Sequence, residues 1–216
     1  MDRAQEDQQV WPRLWWGATA LCAVFGVVIS VYNAANSHTG HFSTALERAL
    51  NTFTFFTILS NLLVGAAVVL LVIKPHRSSF TFSVFRLIGV VAIAVTGIVY
   101  HVALAGLFDL QGWERLGDQL VHTAVPLLAV IGWLWWGPRG LTSWRIVRWS
   151  LVFPIGWLGF TLIRGAFVKW YPYPFVDVTR LGYGGTLLNC VWVSLLLLGL
   201  AAGAHALDGV LGRSRP

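Results

Sequence analysis

The chain has little charge and almost no cysteine. Charged residues make up 11% of its 216 positions, against about a quarter in soluble domains, so an ordinary water-soluble fold is excluded. The two cysteines, Cys22 and Cys190, both fall within apolar runs, which argues against an extracellular disulfide framework or a clustered thiolate metal site. They read as core residues. There is no low-complexity tract, no linker between two compositional regimes and no convincing internal repeat, which points to one domain and away from an inverted-repeat transporter. The soluble-hydrolase signatures GxSxG and HExxH are also missing. The polar start MDRAQEDQQ is partly acidic, and no clean small-residue cleavage site follows, so the first apolar run does not read as a cleaved signal peptide.

Apolar residues are abundant, at 56%, and they collect in six runs: 15–32, 53–73, 85–107, 118–136, 146–167 and 184–206. Each is close to the ~20 residues that cross hydrocarbon as a helix. The fold class predicted is all-α, a polytopic membrane protein with a bundle of six transmembrane helices in a single domain, 1–216. A net charge of +6 does not imply nucleic acid here, because the basic residues are dispersed among short loops. Ten of them (Arg3, Arg13, Lys74, Arg77, Arg86, Arg139, Arg145, Arg148, Arg213 and Arg215) fall on the side of the termini, against four (Arg48, Arg115, Lys169 and Arg180) on the other. That bias predicts that both termini are cytoplasmic. On the outer side, WYPYPF (170–175) is stiffened by Pro172 and Pro174 and reads as an interfacial anchor, with a lid as the alternative.

Ionisable and amide side chains inside spans are costly and raise a functional hypothesis. At ~1.5 Å per residue, Thr57 and Asn61 in span two, His101 in span three, His122 in span four, Arg164 in span five and Asn189 in span six share one depth, roughly 5 to 12 Å below the outer edge. The inner halves of the same spans, such as VGAAVVLLVI and VSLLLLGLAA, are nearly bare of such groups. One outer-leaflet polar chamber explains this, and it argues against a channel, which needs a polar path through both leaflets.

Within DQLVHTAVPLL (118–128), Asp118, His122 and Pro126 are spaced four apart, one helical turn each along one face. Pro126 lacks the amide that would bond the His122 carbonyl. In span two, Thr57, Ser60 and Asn61 form a stripe at i, i+3 and i+4. An imidazole within reach can take the proton of a threonine hydroxyl and make it nucleophilic, and Asp118 can orient the ring. Thr54, one turn from Thr57, is a rival nucleophile.

These residues resemble a known family: the androgen-induced and androgen-dependent TFPI-regulating proteins, with their bacterial six-span relatives. The likeness covers nearly the whole chain in number and order of spans. It rests locally on FFTILSNLL (55–63), YHVAL (100–104), HTAVPLL (122–128), and LIRG with YPYPF (162–175). It implies a membrane hydrolase of fatty acid esters of hydroxy fatty acids in a bacterial plasma membrane, with Thr57 as nucleophile and His122 as general base. Asp118, Asn61 and His101 are candidate supporting residues, Asn61 as an oxyanion donor. Arg164, Asn189 and Tyr100 are candidate substrate-binding residues, Arg164 for a carboxylate. The expected partner is a membrane lipid or lipid ester, and no cofactor or metal is expected. Two rivals use the same residues: a haem protein ligated by His101 and His122, and a metal-assisted hydrolase using His101, His122, Asp109 and Asp118. A non-enzymatic lipid-binding protein is a further alternative.

Overall fold

The computed structural model describes residues 3–38 and 40–213. Of the basic residues counted towards orientation, Arg215 and the Arg3 side chain lie outside the described set. The chain is built of α1 (Arg3–Asn36), α2 (Ala45–Thr52), α3 (Phe56–Ile73), α4 (Phe80–Val99), α5 (Gly112–Gln119), α6 (Val125–Trp136), α7 (Trp144–Ser150), α8 (Val152–Val168) and α9 (Val178–Arg213). Six stretches are long and apolar enough to cross a membrane: Gln9–Asn36, Phe56–Ile73, Phe80–Leu104, Gly112–Trp136, Trp144–Val168 and Val178–Arg213. The protein is therefore an integral multi-pass helical bundle. With an even number of crossings, the start of the first span and the end of the last, Gln9 and Arg213, lie on one face.

Helix is the form that satisfies backbone groups where no water reaches, and each interruption has a local cause. The predicted start of span two at residue 53 is corrected to Phe56, because the chain forms α2 first and then turns. Thr44 caps α2 through a reciprocal bond with Glu47, whose carboxyl is held below its ordinary pKa mainly by the Thr44 backbone amide. The Thr54 hydroxyl then donates to the Asn51 carbonyl at 2.7 Å, and Phe55 is extended. Span three, expected to run to residue 107, ends at Leu104, after which Ala105 leaves helical geometry and Gly106 takes a positive φ of 82°. Span five is broken at Leu151: Pro154 has no amide for the Ser150 carbonyl, and its ring crowds that carbonyl. The sixth span has a kink at Gly182, where φ is 65° and ψ is 171°.

At the centre of the bundle, α4 packs against α3, α6, α7 and α9, and α1 closes the side formed by α3, α5 and α6. Leu87, Ile93, Val125 and Ala201 are buried to within about 1% of complete exclusion. Arg86, counted among the loop cations, lies inside α4 instead, buried and donating to the Pro138 carbonyl at 2.9 Å.

Two π-helical turns interrupt the regular helices, one at Tyr100–Leu104 and one at Leu120–Ala124. The second joins α5 to α6 and explains what Pro126 does. The Val125 amide bonds the Leu120 carbonyl instead of that of Val121, and Pro126 has no amide to offer at the next π position. The Val121 carbonyl is left over, and the Asn61 side chain occupies it at 3.1 Å. Pro126 also has no amide for the His122 carbonyl, as the sequence predicts; the carbonyl that gains a side-chain partner belongs to Val121. Gly97 is what lets α4 approach this turn, since a Cβ there would lie 2.9 Å from Pro126 Cβ.

Candidate active site

The first residues of α3, the end of α4, the π turn around His122 and the loop after α8 meet on the face away from the termini. Thr57 Oγ1 lies 3.2 Å from His122 Nε2. His122 Nδ1 faces the Asp118 carboxylate at 2.9 Å and the Asp118 carbonyl at 3.2 Å. Both are pure acceptors, so Nδ1 carries the hydrogen and the Nε2 lone pair faces the threonine hydroxyl. The Tyr100 hydroxyl donates to the second carboxylate oxygen of Asp118 at 2.5 Å, and its ring stacks on the imidazole at 4.1 Å and 11°. Asp118 side-chain exposure is 12% and that of His122 is 16%, so the carboxylate is largely withdrawn from solvent with every oxygen partnered.

Tyr173 completes the line from the loop between α8 and α9. The Thr57 amide donates to its hydroxyl at 3.0 Å, and Thr57 Oγ1 lies 3.1 Å from the same atom. The Phe56 amide also faces it, as expected at a helix start where amides have no intrahelical partner. Burial pushes the Tyr173 phenol up to about 12, so it remains a hydrogen donor at neutral pH. The donors then run in one direction, from Tyr173 to Thr57 to His122 and from His122 and Tyr100 to Asp118.

Other expected site residues lie elsewhere. Asn61 is adjacent, but both of its amide hydrogens are taken, by the Thr57 carbonyl at 2.8 Å and the Val121 carbonyl, which leaves none for an oxyanion. Thr54 donates to Asn51 and does not meet the imidazole. Arg164 donates to Asn51 Oδ1 at 2.9 Å and lies over the rings of Phe42 and Trp170, so its guanidinium braces α8 against α2. Asn189 donates to the Phe175 carbonyl at 3.0 Å and holds the loop. His101 is exposed and bonds Thr123 at 3.1 Å. It does not face His122, both of whose ring nitrogens are engaged. Among the described residues no three His, Cys, Asp or Glu side chains gather as a metal site.

Tyr173 is the residue that the sequence reading passed over. WYPYPF was read as an interfacial anchor, and Trp170 does pack on Phe42 and Phe55. The two tyrosines are buried, with the Tyr173 ring edge-on to Phe55 as well. The Tyr171 ring fills the space above Gly165, where a Cβ would meet it at 2.1 Å. A tyrosine framed by two prolines was the available signal.

Thr57 and Tyr173 open on an apolar cavity of about 180 Å³, walled by Val95 and Val99 of α4, Trp157 and Leu158 of α8, and Val193 and Leu197 of α9. Ile155 and Leu198, 67% and 42% exposed, also belong to its wall, so it reaches the surface of the bundle between α8 and α9, at a depth where hydrocarbon surrounds the protein. The break at Leu151 and Pro154 lines the same cavity.

Fold and geometry together define a class: a six-helix membrane bundle with threonine, histidine and aspartate in one hydrogen-bonded line beside an apolar chamber. No family model matches the chain, and it matches no curated protein and no solved structure.

Proposed function

We propose that this chain is an intramembrane threonine hydrolase that cleaves lipid esters. The observation that carries the reading is the Thr57 Oγ1 to His122 Nε2 bond of 3.2 Å, with the far ring nitrogen on Asp118, at the wall of a chamber shaped for an acyl chain. Thr57 attacks the acyl carbonyl and its proton passes to His122 Nε2. Asp118 holds the ring and balances the imidazolium. The oxyanion is met by the Tyr173 hydroxyl, whose hydrogen turns from Thr57 Oγ1 once that oxygen is bonded to carbon, while the Thr57 amide stays on the Tyr173 oxygen. Collapse expels the alcohol, which takes the proton from Nε2. Water then attacks the acyl-threonine, again losing its proton to His122, and the fatty acid departs as the Thr57 hydroxyl is restored.

The resemblance of FFTILSNLL, YHVAL and HTAVPLL to the androgen-induced family supports the same pair of residues and implies an ester of a hydroxy fatty acid as substrate. The geometry by itself supports the broader class of esters with an apolar acyl chain. The charge bias supports cytoplasmic termini and a chamber in the outer leaflet, and the resemblance implies a bacterial plasma membrane. The test is hydrolysis of a chromogenic medium-chain ester by purified protein. Thr57→Ala is expected to fall to the uncatalysed rate, and wild-type turnover by that variant sinks the proposal. Lipid retained intact by the wild-type protein marks it instead as a lipid-binding protein.

A further inference from the structure

A second hollow meets the site from the other side. It is an open depression of about 280 Å³ in which Ser30, Asn33, Ser37, Glu114, Asp118 and His122 stand beside the apolar Ala34, Leu110 and Val121. The apolar chamber has Thr57 in its wall and lacks His122; the hollow has His122 and lacks Thr57. The Thr57–His122 hydrogen bond is therefore the partition between the two.

That division matches the bookkeeping of ester cleavage. After the first step the acyl group remains covalently on Thr57, while the alcohol must leave with a proton from His122 Nε2. One product belongs to the side of the threonine and the other to the side of the histidine. Resting on the threonine-hydrolase reading, we infer that the alcohol half of the substrate occupies this hollow, and that it is a hydrophilic alcohol without negative charge, a glycerol-like polyol or a cationic amino alcohol.

The chemistry of the walls sets the class. The Asn33 amide and the exposed Glu114 carboxylate suit a polyol, and a second hydrocarbon chain would have to strip them of water without replacing their bonds. Glu114 and Asp118 line the same space, and among the described residues no lysine or arginine does. The nearby cation Arg48 is committed to the carbonyls of Ala34, Ala35, Phe42 and Ser43. Arg164 is held at Asn51 between two aromatic rings. An alcohol carrying its own carboxylate would meet the Glu114 charge, and that of Asp118 whenever His122 is neutral, with no described lysine or arginine in the lining to offset them.

The experiment compares purified wild-type protein in lipid nanodiscs on three esters of one acyl chain, with glycerol, with choline and with a hydroxy fatty acid. The expected kcat/KM is higher by about tenfold or more for the first two, like-charge contact being worth at least that much. Glu114→Lys, which reverses a wall charge and touches neither Thr57 nor the His122–Asp118 bond, is expected to move the ratio towards the hydroxy fatty acid ester by a similar factor. Wild-type preference for the carboxylate-bearing ester, or an unmoved ratio in the variant, overturns the inference and leaves the threonine-hydrolase reading standing. If wild type cleaves none of the three faster than Thr57→Ala, both fall together.

Discussion

Asp118 accepts from His122 on one oxygen and from Tyr100 on the other, and the two bonds differ in what they control. The first fixes which ring nitrogen faces Thr57; the second only steadies the carboxylate. Asp118→Asn is therefore expected to cut kcat by roughly 10⁴, the scale of a lost tautomer, whereas Tyr100→Phe, which keeps the stacked ring, costs about tenfold, one net hydrogen bond. Equal losses in the two variants would contradict that division. The chemistry of this line was legible in the sequence because two of its members lie four apart on one helix and the third shares their depth. Tyr173 was not, since an aromatic residue in a proline-rich loop carries no periodicity to show whether it points to the interface or inward. Asn61 was legible as a residue of the site but not in its partner, because hydropathy does not reveal a leftover carbonyl on a neighbouring span.

Helices carry this site on their irregular parts. Tyr100 and His122 each sit on a π turn, and Thr57 is the second residue of a helix that starts late. The six apolar runs were readable because length and hydropathy suffice for them. The π turns were not, because a shift of one hydrogen bond changes neither. Pro126 signalled that something happens, and Gly97 supplies its mate: Gly97→Ala must push a Cβ against a ring that cannot bend away. A cost of about 1–3 kcal/mol in stability is expected from such overpacking, together with a fall in kcat of up to ~10² from displacing His122 by an ångström. Thermal unfolding and turnover measured on the same preparation check both. An alanine variant with wild-type kcat would show that the turn tolerates a wider spacing between α4 and α6.

At the scale of the whole molecule, the charge bias predicts which face is which. In a cysteine-free background, a cysteine at Gly40 should react with an impermeant reagent on intact cells and one at Ser78 should not; the reverse pattern would invert the topology. The chamber between α8 and α9 predicts chain-length selectivity. Ser194→Phe, within its lining, should reduce kcat/KM for long acyl chains by about tenfold or more while sparing short ones, the order of a few buried methylenes, and uniform loss across chain lengths would mean that the acyl group lies elsewhere. The span of α8 is the least buried; the helix breaks at Leu151 and is fastened by the bond of Trp157 to Thr54 in its first half and by that of Arg164 to Asn51 near its far end. A wall pivoted at one end and latched at the other, with lipid on its outer side, behaves as a diaphragm. For the proposed hydrolase the expected outcome is a chamber that answers to lateral pressure in the bilayer, with kcat/KM for long acyl chains higher in loosely packed than in tightly packed lipid.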